Sequence, residues 1–388
     1  MKPTLMLIGL GHLGGAVLDL LAGDKTVGRI VGCSRNRPRG AARCNVARLG
    51  ALAQGRTPRI DFLSLDLNDS HAIVETIQRV APDIILNTAS LQTWWLLDLL
   101  PAEPATALRK AGFGVWLPVH LTLTLKLMQA VRKSGYDGVT LTASYPDVIN
   151  CILGRIGLAP TCGVGNLDEI VPKLRLLAAE RLEVSAAEVA VLMVAHHALE
   201  RVVFRGSEAP AGEIPPYFLR LLLKGEDVTE EIAAEGLLLT PYPLPSGPGW
   251  SHLTACSAVR LVRALLADRP SLLHAPGPGG LPGGYPVLVA GGEVRPAPLE
   301  GLSLGAAIDI NERSHIFDGI ERIAEDGTAV FAPASAAIMR SELGYDCDRL
   351  MPEEAEERGT ELISRFEDYA GRQGVDLRKF AAGYAGEE

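Results

Sequence analysis

The segment that most restricts how this chain can fold is a short corner with three glycines at fixed spacing. Gly9-Leu10-Gly11-His12-Leu13-Gly14 follows the apolar run 5–8 and opens a helical pattern over residues 16–21. A buried strand must turn directly into a helix there, and each glycine lacks a Cβ for its own reason. Gly9 permits the tight turn, Gly11 lets a bound group approach the backbone, and Gly14 lets the helix pack against the strand. The helix mouth presents unpaired N–H groups and a partial positive charge, so a pyrophosphate is its natural guest. His12 and Leu13 fill the intervening positions beside the same guest.

The next stretch repeats the strand–helix alternation. Residues 29–33, 60–67, 83–87 and 138–142 read as strands, and 70–80 and 121–133 as helices. Such alternation predicts a parallel sheet covered on both faces, the dinucleotide-binding Rossmann unit of an α/β protein. The turn Thr88-Ala89-Ser90 closes the fourth strand and places Thr88 and Ala89 at the coenzyme. About 20 residues past the glycines, an NAD-specific unit carries an acid for the ribose hydroxyls. Here the second strand runs instead into Ser34, Arg35 and Arg37. A 2′-phosphate suits guanidinium groups, so the expected coenzyme is NADP, with NAD as the alternative.

Past residue 150 the pattern changes. A helical stretch covers 164–182, which Pro172 should break or kink. A strand follows at 189–194 and an amphipathic helix at 253–266. Short strands read at 286–290 and 329–331, and a charged helix at 352–369. Residues 207–216, 240–249 and 275–286 are rich in Pro and Gly and read as loops, the last a candidate lid. The expected division is a dinucleotide-binding domain over 1–146 and a catalytic and substrate domain of α+β type over 147–388.

Composition narrows the function. The chain has 388 residues, 47% of them hydrophobic and 21% charged, which suits two globular domains. Its net charge of −9 lacks the positive field that nucleic-acid binding requires. Six cysteines are scattered without CxxC spacing, which argues against a structural zinc site and for reduced thiols in a cytoplasmic protein; no metal is expected. No apolar run reaches membrane-spanning length. Asp66 and Asp69 read as turn or helix-cap residues, and His120 as structural.

Three further segments carry a resemblance: Tyr145-Pro146-Asp147-Val148-Ile149, Val164-Gly165-Asn166-Leu167-Asp168, and Val194-Ala195-His196-His197-Ala198. With the glycine corner and Gly249-Trp250-Ser251 before a long helix, they resemble the lactate/malate dehydrogenase superfamily. The resemblance implies that Asp168 and His197 form an acid–histidine pair, with His197 as general acid/base and His196 as its rival. It also implies a homodimer or homotetramer acting on a small molecule. Three positions depart from the family pattern. Val171 stands where a carboxylate-gripping arginine is expected, Ser144 where an asparagine is, and the loop 90–118 holds Trp94, Trp95 and Trp116 with only Arg109 and Lys110 as bases. An apolar pocket holds an ionised carboxylate only at high cost. Arg175 and Arg201 are the candidate replacements for the missing cation, and Ser251 is a further substrate contact.

The first reading is therefore an NADP-preferring oxidoreductase acting on a C–OH/C=O centre, with C–NH/C=N admitted. A second is a 2-hydroxy/2-oxo acid dehydrogenase whose carboxylate clamp has moved to Arg175, Arg201 or Arg109. A third is a nucleotide-binding regulatory protein without catalysis.

Overall fold

The computed structural model describes residues 3–205, 214–245 and 247–377. The first half alternates strand and helix: β1 (Thr4–Ile8), α1 (His12–Ala22), β2 (Arg29–Ser34), α2 (Arg37–Ala53), β3 (Arg59–Ser64), α3 (Ser70–Val80) and β4 (Ile84–Asn87). Then come α4 (Ala102–Arg109), α5 (Leu117–Ser134), β5 (Val139–Thr142), α6 (Pro146–Arg155) and β6 (Cys162–Gly163). The six strands form one parallel sheet in the order β3-β2-β1-β4-β5-β6. The order reverses between β1 and β4, and a crevice opens there at the strands' carboxyl ends. The mixed α/β class and the parallel sheet are as expected. The sixth strand, however, lies beyond residue 146, where the first domain was expected to stop.

Both sheet faces are buried because β1 alternates. Leu5 and Leu7 pack with α1 and a later helix in one core, and Met6 and Ile8 with α3 and α5 in the other. Asp69 caps α3, accepting from the backbone of His71 and Ala72 at 3.1 and 2.9 Å.

The second half begins with α7 (Leu167–Leu182), β7 (Val189–Ala195), α8 (Ala198–Arg205), β8 (Tyr217–Leu223), β9 (Glu226–Asp227), α9 (Ala234–Leu239) and α10 (Ser251–Leu265). It continues through β10 (Ser271–Pro276), β11 (Gly284–Ala290), β12 (Glu293–Pro296), α11 (Leu304–Ser314), β13 (Ile320–Ile323) and β14 (Ala329–Phe331). It closes with α12 (Pro333–Leu343), β15 (Arg349–Leu350) and α13 (Ala355–Arg372). Strands β7 to β12 make an antiparallel sheet, and β13 to β15 a small separate one. Pro172 does not break α7, which runs unbroken with the proline ring exposed. The helix starts at Leu167, not 164, because Gly165 and Asn166 have φ of +83° and +53°.

The Pro/Gly tract 275–286 is no lid. It is a buried corner in which a Cβ on Gly277 would strike Asn150 and one on Gly280 would strike Gly154. Part of the 207–216 loop lies outside the described residues. No single helix among the described residues is long and apolar enough to cross a membrane.

Candidate active site

The glycine corner has the geometry its spacing demands. Gly9 has φ +88°, and a Cβ on Gly14 would lie 1.8 Å from the Gly9 carbonyl oxygen. A Cβ on Gly11 would meet nothing within 4 Å, and no side chain caps α1. The helix mouth is thus open where a phosphate would sit. The Thr88 hydroxyl lies 3.1 and 2.9 Å from the Ile8 and Gly9 carbonyls and clamps the turn, with Ala89 beside it.

Leu13 lines the cleft, and His12 packs its ring edge against Trp95, centroids 5.6 Å apart. Burial pushes the His12 imidazole below its ordinary value, and the charge of Arg39 adds to that. Arg39, in the first turn of α2, is thus near enough for its charge to act on His12. At the end of β2 the Ser34 hydroxyl donates to the Asn36 carbonyl at 3.2 Å, and Arg35 and Arg37 are exposed.

Across the cleft, His197 sits where β7 turns into α8. Its Nδ1 lies 2.8 Å from Oδ2 of Asp318, which is fully buried. The pairing with Asp168 is not what the fold makes. Asp168, on the first turn of α7, pairs with Arg260 of α10, and burial pushes its carboxyl up to about 7. Asp318 lies 121 residues beyond His197 at the end of a 3₁₀ turn (His315–Asp318), and no motif marks it.

The same Asp318 oxygen accepts from the Tyr145 hydroxyl at 2.8 Å, and the His197 backbone N–H donates to Asp147 at 2.9 Å. Burial opposes charge on His197, yet Asp318 outweighs it and holds the imidazole above its ordinary value. Asp318 would itself be raised by burial, but His197 holds it far below the usual carboxylate range. Tyr145 and Asn166 both have positive φ, 45° and 53°. Each is a local cost of order 1–3 kcal/mol that the surrounding network overcomes. The side chain of Asn166 donates to Asp147, which ties this strain to the His197 backbone.

His196 is buried behind the cleft wall, its Nδ1 3.7 Å from the same Asp318 oxygen. Its Nδ1 accepts from the Ala198 backbone at 3.2 Å, and its ring meets His315 with centroids 4.9 Å apart. Burial holds it well below the ordinary histidine value. Its Nε2, His315 Nε2 and Asp318 Oδ1 are all buried without a hydrogen-bond partner among the described residues.

One cleft of about 470 Å³ joins the glycine corner to His197. Ser144, Ser251 and Arg201 line it, as does Arg109. Arg175 does not: it is a turn away on α7, holding the carbonyl of Ala186 at 2.7 Å. Val171 is buried in the core beneath the cleft, so that position offers no cation. The segment 90–118 is folded over the cleft as two 3₁₀ turns and α4. Trp94 and Trp116 line the cleft, while Trp95 is packed in the core.

His120, expected to be structural, is a wall residue. Its Nδ1 lies 3.0 Å from the Ser144 hydroxyl, and burial pushes it down to about 3. Phe113 fits between the rings of His120, Tyr145 and His197 at 4.8 to 5.0 Å. Two glutamates were not foreseen. Glu169, on the first turn of α7, and Glu200, on the first turn of α8, both line the cleft, and their carboxyl groups are within hydrogen-bonding reach of each other.

No family model and no curated protein sequence matches this chain. Solved structures do resemble it. The lactate dehydrogenase of Eimeria maxima with NADH and oxamate is 15% identical with a TM-score of 0.56, the match covering 81% of this chain and 92% of that one. The malate dehydrogenase of Cryptosporidium parvum is 14% identical with a TM-score of 0.56, covering 82% and 97%. That of Plasmodium falciparum is 14% identical with a TM-score of 0.54, covering 93% and 99%. At such identities the likeness is one of architecture, and the fold of this chain is that of the lactate and malate dehydrogenases.

Proposed function

We propose that this protein is a nicotinamide-dependent oxidoreductase that moves hydride to or from a C=O or C=N centre, with His197 as the proton donor and acceptor. The observation that carries this reading is the single cleft with an open glycine corner at one end and an acid-held imidazole at the other. The corner would hold the coenzyme's pyrophosphate on the N–H groups of α1, with Gly11 in closest approach. The bound coenzyme supplies or accepts the hydride. Asp318 fixes the His197 tautomer through Nδ1, so Nε2 faces the cleft and can exchange a proton with the reacting group. Tyr145 and Asp147 hold Asp318 and the His197 backbone in place. Asp168 has no part in this relay, because Arg260 occupies it.

NADP is the preferred coenzyme in this reading. The second strand ends in Ser34 without an acid, and Arg35 and Arg37 are exposed there, with the charge of Arg39 acting on His12. The protein works as a homo-oligomer in solution on a small-molecule substrate.

Titration of purified protein with NADPH and NADH by fluorescence tests the first half. Tighter NADPH binding is expected, with Arg35→Asp shrinking the difference. Equal or tighter NADH binding would remove the NADP assignment, and no binding of either would remove the whole reading. His197→Gln should abolish turnover while leaving coenzyme affinity within about threefold of wild type. Undiminished turnover would exclude His197.

A further inference from the structure

The charges around His197 Nε2 are the wrong ones for reducing a ketone. Glu200 Oε2 lies 3.9 Å from that nitrogen, and both residues line the cleft. Glu169 is 3% exposed and is held in the cleft wall by the Trp250 indole N–H and by Thr254. Both glutamates occupy the first turns of their helices. The positive ends of α7 and α8, which could otherwise receive a substrate anion, are therefore already covered by the protein's own carboxyl groups.

Aromatic rings complete this wall. Trp250 and Phe204 meet edge to face at 5.0 Å and both line the cleft, with Phe113 tilted against His197 at 5.0 Å. The cations are fewer. Arg109 is neutralised by Asp98 at 2.6 Å, whereas Arg201 makes no salt bridge with a described carboxylate and only reaches the Arg109 carbonyl at 3.3 Å. The charge of Arg201 bears on His197, Tyr145 and Asp318. Around the reacting position the cleft thus offers a carboxyl pair with aromatic faces, and one guanidinium.

Ketone reduction builds negative charge on oxygen, which a neighbouring carboxylate opposes. Iminium reduction starts from a cation, which a carboxylate and aromatic faces favour. We infer that the substrate is an imino acid, its reacting carbon double-bonded to a cationic nitrogen that Glu200 and Glu169 face, and its carboxylate on Arg201. The inference rests on the hydride-transfer reading above and names the substrate class for the same cleft. Hydride from the coenzyme adds to the iminium carbon as the C=N π pair withdraws to nitrogen. That lone pair then takes the His197 proton, so an ammonium product and oxidised coenzyme leave. Charge and atoms balance without a further reactant.

The test compares two carboxylates of similar size, 1-pyrroline-2-carboxylate and 2-oxopentanoate, by NADPH oxidation at saturating coenzyme. At least tenfold higher kcat/KM for the cyclic imine is expected. Glu200→Gln should lower that advantage by at least tenfold, with NADPH affinity measured separately and unchanged. Calorimetry with NADP-loaded protein provides a readout without turnover: proline, carrying both charges, should bind more tightly than 2-hydroxypentanoate, and Glu200→Gln should remove the preference. The inference fails if the keto acid is turned over as well as the imine, or if the hydroxy acid binds as tightly as proline. In either failure NADPH would still bind and be oxidised or retained, so the oxidoreductase reading survives. Absence of coenzyme binding would instead sink both.

Discussion

Two hydrogen bonds converge on one oxygen, Asp318 Oδ2, from His197 and from Tyr145. Their joint effect sets the pH behaviour of the site. Burial works against charge on His197, and the facing groups decide the balance: Asp318 and Asp147 raise it and Arg201 lowers it, with Glu200 at Nε2 and the neutral rings of His120 and His196 nearby. The net direction is up, so the imidazolium that the proposed reduction would need persists above the ordinary histidine value.

As a contribution to stability, the pair is at full strength from above pH 3.8, the ordinary value for Asp318, up to pH 6.5, that for His197. It is lost as pH falls through the depressed Asp318 value or rises through the elevated His197 value. Asp318→Asn removes the main raising partner and leaves burial unopposed. The alkaline limb of the reduction pH profile should then move to lower pH, and kcat should fall by roughly 10²- to 10⁴-fold. A profile with an unmoved limb would show that another group governs the proton.

At the scale of elements, the turn from β1 into α1 does one task with three glycines whose surroundings differ. The Gly14 position has no room, since an added Cβ would lie 1.8 Å from a backbone oxygen. Gly14→Ala should destabilise the fold by about 1–3 kcal/mol through overpacking and weaken coenzyme binding as a consequence. The Gly11 position is open, with nothing within 4 Å of an added Cβ. Gly11→Ala should therefore leave the denaturation midpoint near wild type yet cut coenzyme affinity at least tenfold. If both variants lost stability equally, the openness of the helix mouth would have no functional meaning. Elements with a steric punctuation of this kind were readable in the sequence: β1, α1, α3 with its Asp69 cap, and β4. The helix α2 was not, because its pattern is mostly small and basic and its exposed Val46, Leu49 and Leu52 blur the apolar stripe.

On the scale of the whole molecule, the chain's two ends build one core. The C-terminal helix α13 lies along α5, and Phe366 meets Trp116 edge to face at 5.0 Å while Trp116 lines the cleft. Residues 320–377 thus pack in one core with the sheet's own helices. Phe366→Ala should cost about 3–5 kcal/mol of stability by cavity formation. Chemical denaturation would measure this directly. A cost below 1 kcal/mol would mean that α13 is only loosely docked.

Local rules let the sequence determine the parallel-sheet half by itself. Strand periodicity, glycine spacing and the missing acid after β2 each act within a few residues, so the residues themselves carry the information. His197, Ser144, Arg201 and Ser251, named from the sequence, all line the one cleft, whereas Arg175 does not. The partner of His197 was decided only in three dimensions. Asp168 was the nearer choice in sequence, but Arg260 claims it, and the carboxylate that reaches the imidazole comes from a 3₁₀ turn 121 residues away. The electrostatics of the cleft were also invisible in one dimension, because Glu169 and Glu200 begin two different helices and meet only when those helix ends converge. Pair interactions across a fold depend on distances that chain order does not encode.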